Sequence, residues 1–254
     1  MNDTIIAFAA HHPVINIHYH HCYQVVVSLK NTFDSTINGK LHTGLRGFII
    51  NRTVKHFCTA PEISAIVLLI EPESQIGWQI KTLLGGEQFM RIEALFSPKQ
   101  LLSLQVAEAQ LQNAEVLNET CNILFEMLFP NVLKTFAVES DSRLQVIQTY
   151  IENHIEERIV LDDIARLVFL SSERVRHLFV QDIGMPFSQY LLWKRIKNVM
   201  YDVLKNNTSI MDAALKNGFT DQAHFSKIFK RMFGTSAKPL LKNSRYIQFL
   251  WPRL

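Results

Sequence analysis

The chain has 254 residues, 48% of them hydrophobic, which is enough for ordinary buried cores and for two domains. Its longest apolar run, Ala65–Ile70, is far too short for a membrane span, and its three cysteines, Cys22, Cys58 and Cys121, form no CxxC pair. The net charge of +3 hides an asymmetry: residues 1–141 carry 9 Lys+Arg against 13 Asp+Glu (−4), and residues 142–254 carry 17 against 10 (+7).

An acidic front and a basic rear are expected when one end of a chain meets a polyanion. Odd, widely spaced cysteines predict free thiols in a reducing compartment. The start, MNDTIIAFAAHHP, lacks a basic region and a long apolar run, so no signal peptide is expected. The expected location is the cytoplasm, at the nucleoid, with no membrane partner.

Residues 1–72 read as β structure. VINIHYH (14–20) and YQVVVSL (23–29) are rich in β-branched and aromatic residues, and Asn38-Gly39 sits where a two-residue hairpin turn belongs. GFIIN (47–51) and ISAIVLLI (63–70) continue the pattern, with Pro61 and Pro72 as punctuation. Short strands at this spacing predict a small barrel or a double-sheet jelly roll.

From Ser74 to about Phe129 the pattern turns helical. Ser97 is a good N-cap, with Pro98 in the first helical position, for PKQLLSLQVAEAQLQ (98–112). EVLNETCNILFEMLF (115–129) is a second helix, apolar at Val116, Ile123, Leu124, Met127 and Leu128 and stopped by Pro130. These helices either cover the open side of the barrel or build a homodimer interface, two-fold dimers being the commonest oligomers. Thr135–Ser142, TFAVESDS, is the linker candidate and coincides with the charge boundary.

An internal repeat follows. DDIARLVFLSSERVRHLFVQDIG begins at Asp162 and MDAALKNGFTDQAHFSKIFKRMFG at Met211. Asp163, Ile164 and Ala165 match Asp212, Ala213 and Ala214 at an offset of 49; Val175, Leu178, Phe179 and Gly184 match Phe225, Ile228, Phe229 and Gly234 at 50. The extra residue is therefore expected in a turn, which tolerates insertion where a helix interior does not. Each unit reads as helix, turn, helix and closing glycine. Between them, Phe187, Tyr190, Leu191, Ile196, Val199, Val203 and Leu204 space out one helix of four to five turns, a stiff spacer.

A helix-turn-helix buries one face of its second helix and offers the other to the DNA major groove. In the first unit Glu173, Arg176, His177 and Val180 point outward by angular count. In the second, Ala223, Ser226, Lys227 and Lys230 do so. Arg can fork onto guanine, Glu can accept from cytosine N4, and Ala can touch a thymine methyl.

HIEERIVLDDIARLVFLSSERVRHLFVQDIGMPFSQYLLWKRI and SIMDAALKNGFTDQAHFSKIFKRMFG resemble the DNA-binding domain of the AraC/XylS family of bacterial transcription regulators. The match spans about residues 144–240. In register are Leu161 to Ala165, Leu170-Ser171, Leu178-Phe179, Gly184, Tyr190-Leu191, Arg195, Ser209-Ile210, Gly218-Phe219, Phe225, Phe229-Lys230 and Phe233-Gly234. The resemblance implies two helix-turn-helix units on a long helix, reading successive major-groove segments. It places base readers at Glu173, Arg176 and His177, and at Gln222, Ala223, His224 and Lys227; Arg195 and Lys230 complete the expected DNA-contacting set. Three positions depart from the family pattern: the late Pro239 in GTSAKP, Val199 in the spacer, and KNG at Lys216.

At the front, HYHHCYQ supplies His18, His20 and Gln24, and His56 lies downstream. An HxH-x3-E with a later His is the ligand spacing of metal-binding cupins, but Gln24 replaces the carboxylate and is a poor ligand. The same pattern resembles the small-barrel sensor domains of AraC-type regulators, where it lines an effector pocket. The expectation is such a pocket, with no metal, no other cofactor and no catalysis.

The expected fold is α+β: a cupin-like sensor and dimerisation domain over 1–135, an AraC-type DNA-binding domain over 142–243 and a tail over 244–254. The expected function is that of a sequence-specific transcription activator, not an enzyme. Its expected partners are double-stranded DNA, RNA polymerase and a small-molecule effector, and it is expected to form a homodimer. The alternative is a metal-dependent cupin enzyme or metal sensor using His18, His20 and His56.

Overall fold

The computed structural model describes residues 5–11, 14–59, 64–97, 99–100, 102, 114–129, 141–242 and 247–250. It divides into two compact units, one of residues 2–136 with 230–254, the other of residues 137–229.

Among the described residues the first unit holds ten strands: β1 (Ile5–His11), β2 (Val14–His18), β3 (Tyr23–Ser28), β4 (Phe33–Ile37), β5 (Lys40–Leu45), β6 (Gly47–Ile50), β7 (His56–Thr59), β8 (Ser64–Ile70), β9 (Phe89–Arg91) and β10 (Ile247–Leu250). They form a six-stranded sheet, β10-β1-β8-β3-β6-β9, and a four-stranded sheet, β2-β7-β4-β5. The arrangement is the double-sheet alternative, not a closed barrel. The expected hairpin turn forms: Ile37 pairs with Lys40, and Asn38 (φ 49°) and Gly39 (φ 78°) take the two positive φ values of a type I′ turn.

In β3 every residue is buried, and in β8 all but the first, as expected of central strands covered on both faces. Tyr23, Val25, Val27, Ile66, Leu68 and Ile70 form one such face. Against it pack α1 (Gln75–Leu84), through Ile76, Ile80 and Leu84, and α2 (Ala114–Leu128), through Leu117, Cys121, Leu124 and Phe125. Ser74 caps α1 by accepting from the Gly77 N–H at 2.9 Å.

The covering role expected of residues 115–129 is thus occupied by α2. Its outer face carries Glu115, Glu119 and Glu126, and Ile123, expected on the apolar side, is 46% exposed. The helix expected over 98–112 lies almost wholly outside the described residues, as do 135–140 of the expected linker. Two expectations need correction. The stretch after Ser74 is interrupted by β9, which pairs with β6, and the supposed tail contains β10, which pairs antiparallel with β1. Neither short strand has a long enough alternation to stand out in a single sequence.

In the second unit come α3 (Ser142–Asn153), α4 (Leu161–Leu167), α5 (Ser172–Leu178), one π-helical turn (Phe179–Ile183), α6 (Phe187–Lys205) and α7 (Ile210–Lys216). Next, α8 (Gln222–Phe233) runs across the boundary between the units, and α9 (Ala237–Lys242) follows it. Leu144, Ile147 and Ile151 of α3, Ile164 and Ala165 of α4, and Val175 and Leu178 of α5 share one core with Phe179, Phe187 and Tyr190. The Phe179 ring sits edge-on to Phe187 and to Tyr190, with centroids 5.3 Å apart in each case.

The repeat is visible bond by bond. Leu170 N–H donates to Ala165 O and Phe169 N–H to Arg166 O; Phe219 and Gly218 repeat both bonds to Ala214 and Leu215. Each scaffold helix so ends in a Schellman-type cap around a left-handed residue, Phe169 (φ 55°) or Gly218 (φ 78°). The turn to the next helix has four residues, 168–171, in the first unit and five, 217–221, in the second. This is the extra residue that the changing offset placed there.

Phe169 is anomalous, holding a left-handed backbone with its side chain 95% exposed. A non-glycine residue pays about 1–2 kcal/mol for that conformation, while exposure leaves no burial to offset it. Asn tolerates the left-handed region without glycine's extra chain entropy. Phe169→Asn should therefore raise stability by roughly 0.5–1 kcal/mol, read as a higher urea midpoint at unchanged slope.

Candidate nucleic-acid interface and buried histidine cluster

Ser171 caps α5 by accepting from Arg174 N–H at 3.2 Å, and Val175 and Leu178 turn inward. Glu173, Arg176, His177 and Val180 are all exposed, as the angular count required. Glu173 pairs with Arg176 at 2.9 Å and lies 3.2 Å from His177 Nε2, so the three expected readers form one connected group on the surface. Arg176 must leave Glu173 to fork onto a base. That exposed i,i+3 pair is worth only about 0.5 kcal/mol or less.

In α8, Phe225, Ile228, Phe229 and Met232 are buried and Gln222, Ala223, Lys227 and Lys230 are exposed. Asp221 accepts from the backbone N–H of His224 at 2.7 Å, a cap at the helix start, and that bond holds its carboxyl below the usual range. The half-buried His224 ring lies 3.1 Å from Thr220 Oγ1. His224 is tied into the helix start more than its neighbours are. Angular counting overlooked Arg174 and Arg231, which are also exposed on α5 and α8; their charge was the signal available.

Arg195 is placed differently from the other expected contacts. Its guanidinium donates to Gly218 O at 3.1 Å and to Glu157 O at 2.7 Å. Burial lowers its pKa from the usual value. A Cβ at Gly218 would stand 2.7 Å from Arg195 Cζ, so the glycine serves both the left-handed turn and this close approach. The side chain ties the spacer helix to the second turn.

The KNG departure has a physical cause in the same region. Buried Asp202 of α6 accepts from Asn217 Nδ2 and Asn206 Nδ2, both at 2.8 Å, with Lys216 Nζ at 3.4 Å. Lys216 and Asn217 thus add two donors, one of them charged, to a buried carboxylate that Asn206 alone would only partly satisfy.

The first unit brings together the four residues of the expected pocket. His18 and His56 sit directly opposite in the β2–β7 pairing, and His20 follows just past β2. Gln24 comes from the other sheet, in β3, where it pairs with Ile50 and Leu69. All four are buried. Each ring directs Nδ1 at a backbone carbonyl 2.9 Å away: His18 at Asn16, His20 at Cys22 and His56 at Val54. His20 Nε2 and His56 Nε2 lie 2.6 and 2.9 Å from the Gln24 side-chain oxygen. Gly234 (φ 66°), in the same compact unit, accepts from Asn16 N–H at 3.1 Å; a Cβ there would fall 2.7 Å from His18 Nδ1.

Burial, then the neighbouring His20, pushes His18 down from 6.5 to about 4. Burial, then the other two rings, drives His56 well below 6.5, and burial lowers His20. The folded unit holds neutral rings where the unfolded chain binds protons, so stability is full above pH 6.5 and is lost as pH falls toward 4. For His18 the shift from 6.5 to about 4 amounts to roughly 3 kcal/mol. Metal-free protein should unfold at lower urea at pH 4.5 than at pH 7.5, and His18→Gln should flatten that slope.

Residues 164–243 match a family model described as a helix-turn-helix domain. A relative described as the probable transcriptional regulator LumQ, from Photobacterium leiognathi, is 24% identical over 86% of this chain and 89% of its own length. An uncharacterized HTH-type transcriptional regulator from Staphylococcus aureus is 29% identical over 37% of this chain, but the match spans 13% of that longer protein. Among solved structures, a single-site variant of apo ToxT from Vibrio cholerae aligns over 95% of this chain and 98% of its own, with TM-score 0.62 and 13% identity. Wild-type ToxT described as unsaturated fatty acid bound aligns over 95% and 97%, with TM-score 0.54 and 14% identity. The fold extends over both units.

Proposed function

We propose that this chain, a DNA-binding transcription regulator with a helix-turn-helix domain of AraC type, reads two successive major-groove segments with α5 and α8. The observation that carries this reading is the duplicated turn, with its two cap hydrogen bonds, which sets a second helix with an exposed polar face in each unit. The spacer α6, with 19 residues, is about 28 Å long, comparable with the roughly 34 Å of one DNA turn.

Arg176 and Lys227 are the proposed principal readers. Glu173, His177, Gln222, Ala223 and His224 are proposed around them, and Lys230 at phosphate. Arg195 is a positioning residue, supported by its bonds to the carbonyls of Gly218 and Glu157. Activation, contact with RNA polymerase and a two-fold dimer rest on the family resemblance. Effector control is assigned to the first unit, supported by the buried His18, His20, Gln24 and His56 cluster and by the ligand named in the ToxT structure.

The test is a binding profile over a randomised site library for the full chain. Arg176→Ala should lose about 1–3 kcal/mol on the preferred site and relax preference at one base position. Lys227→Ala should weaken binding, and a relaxed preference would mark a base contact whereas a uniform loss would mark phosphate. If both folded variants keep the wild-type profile and affinity, these helices are not the readers.

A further inference from the structure

The buried histidines have a feature that hydrogen bonding alone leaves unsettled. A neutral imidazole carries one N–H, and in His20 and His56 the Nδ1 side already faces a carbonyl. Their Nε2 atoms must then present lone pairs, yet both approach the Gln24 side-chain oxygen, which is also an acceptor. Two arrangements remove this opposition. The Gln24 amide can be reversed, giving one N–H to each ring. Otherwise a cation stands among the lone pairs.

We propose that His18, His20 and His56 form a site for one divalent transition-metal ion of zinc type, with the Gln24 oxygen or a water as fourth donor. One nitrogen of each ring lies within 4.8 Å of one nitrogen of the other two. A tetrahedral ion with nitrogens at about 2.0–2.1 Å needs them roughly 3.4 Å apart, so ring rotation closes the remainder. The Nδ1 bonds to Asn16, Cys22 and Val54 are the outer contacts that orient ligating histidines and leave Nε2 for the ion. Three imidazoles suit zinc, nickel, copper or iron, and reject calcium and magnesium, which want oxygen.

This proposal replaces the expectation of a metal-free pocket. That expectation rested on Gln24 being a poor ligand, whereas three rings supply the donor set without it. Regulation by the ion would rest on the assignment of effector control to this unit. Uptake of the ion is independent of DNA and is what the test reads.

Full-length protein stripped with chelator and freed of it is titrated with cobalt(II) chloride and, separately, zinc chloride. The expected result is one equivalent of cobalt with ligand-field absorption, displaced by zinc, and a Tm that rises with zinc concentration. His20→Ala and His56→Ala should abolish uptake, whereas His42→Ala, altering a histidine outside the cluster, should leave it intact. Gln24→Glu supplies a carboxylate donor and should bind about tenfold tighter; this gain does not depend on a truncated variant folding. No stoichiometric uptake by the folded wild type would overturn the site in favour of the reversed-amide network. Uptake that survives both alanine variants, or that Gln24→Glu leaves unchanged, would also overturn it.

Discussion

Replacing Phe229 by alanine should remove a large share of the stability of the second helix-turn-helix unit, while Phe169→Ala should leave stability unreduced. Phe229 is 0% exposed, its ring 5.5 Å from that of Phe225, which in turn lies 5.3 Å from Phe219. Truncating such a ring loses its transfer free energy and leaves a cavity, together about 3–5 kcal/mol. Domains of this kind are stable by roughly 5–15 kcal/mol, so the loss is a large share of the whole. Phe169, at 95% exposure, has no such burial to lose. Urea unfolding followed by circular dichroism separates the two. A Phe229→Ala variant with the wild-type urea midpoint would refute the placement of that face in the core.

The same contrast explains what single-sequence reading could reach. Periodicity finds Phe225, Ile228, Phe229 and Met232 because a buried helical face must repeat at three and four residues. It also finds the outward positions, which are what that face leaves over. The repeat located the turn insertion, since register changes only where the chain is irregular. Periodicity cannot find Phe169 as an anomaly: its left-handed φ follows from the cap geometry of Arg166 and Ala165, not from any pattern of its own. Nor could it assign Arg195, whose partners are two backbone carbonyls at Glu157 and Gly218, distant in sequence.

In the first unit, legibility falls with contact range. Asn38-Gly39 is a local signal, and its turn forms as expected. The pairing of β10 with β1 joins segments far apart in sequence, and no local pattern at residues 247–250 announces it. The histidine spacing is readable, but the meeting of His20, Gln24 and His56 requires the sheet register and a side chain from the second sheet. That is why the four residues are nameable from spacing alone and their meeting is not.

DNA binding by the full chain should weaken by about 10³-fold between 50 and 200 mM salt, the loss expected when roughly six phosphates are neutralised. Cations are available on the proposed reading faces: Arg174 and Arg176 on α5, and Lys227, Lys230 and Arg231 on α8, are all exposed. Residues 142–254 carry the +7 balance that concentrates a polyanion there, whereas 1–141, at −4, do not. Removing one phosphate contact should lower the slope of log affinity against log salt by about one. Lys230→Ala should do this with the sequence preference intact. Glu173→Gln should act differently, because Glu173 holds Arg176 at 2.9 Å and adds a negative charge to the reading face. Removing it should strengthen non-specific binding and weaken discrimination wherever Glu173 itself accepts from a cytosine. Fluorescence anisotropy on one preferred and one scrambled duplex across the salt series measures both effects. A slope near zero, or the same slope in Lys230→Ala, would mean that these basic faces are ordinary solvated surface and that the DNA lies elsewhere.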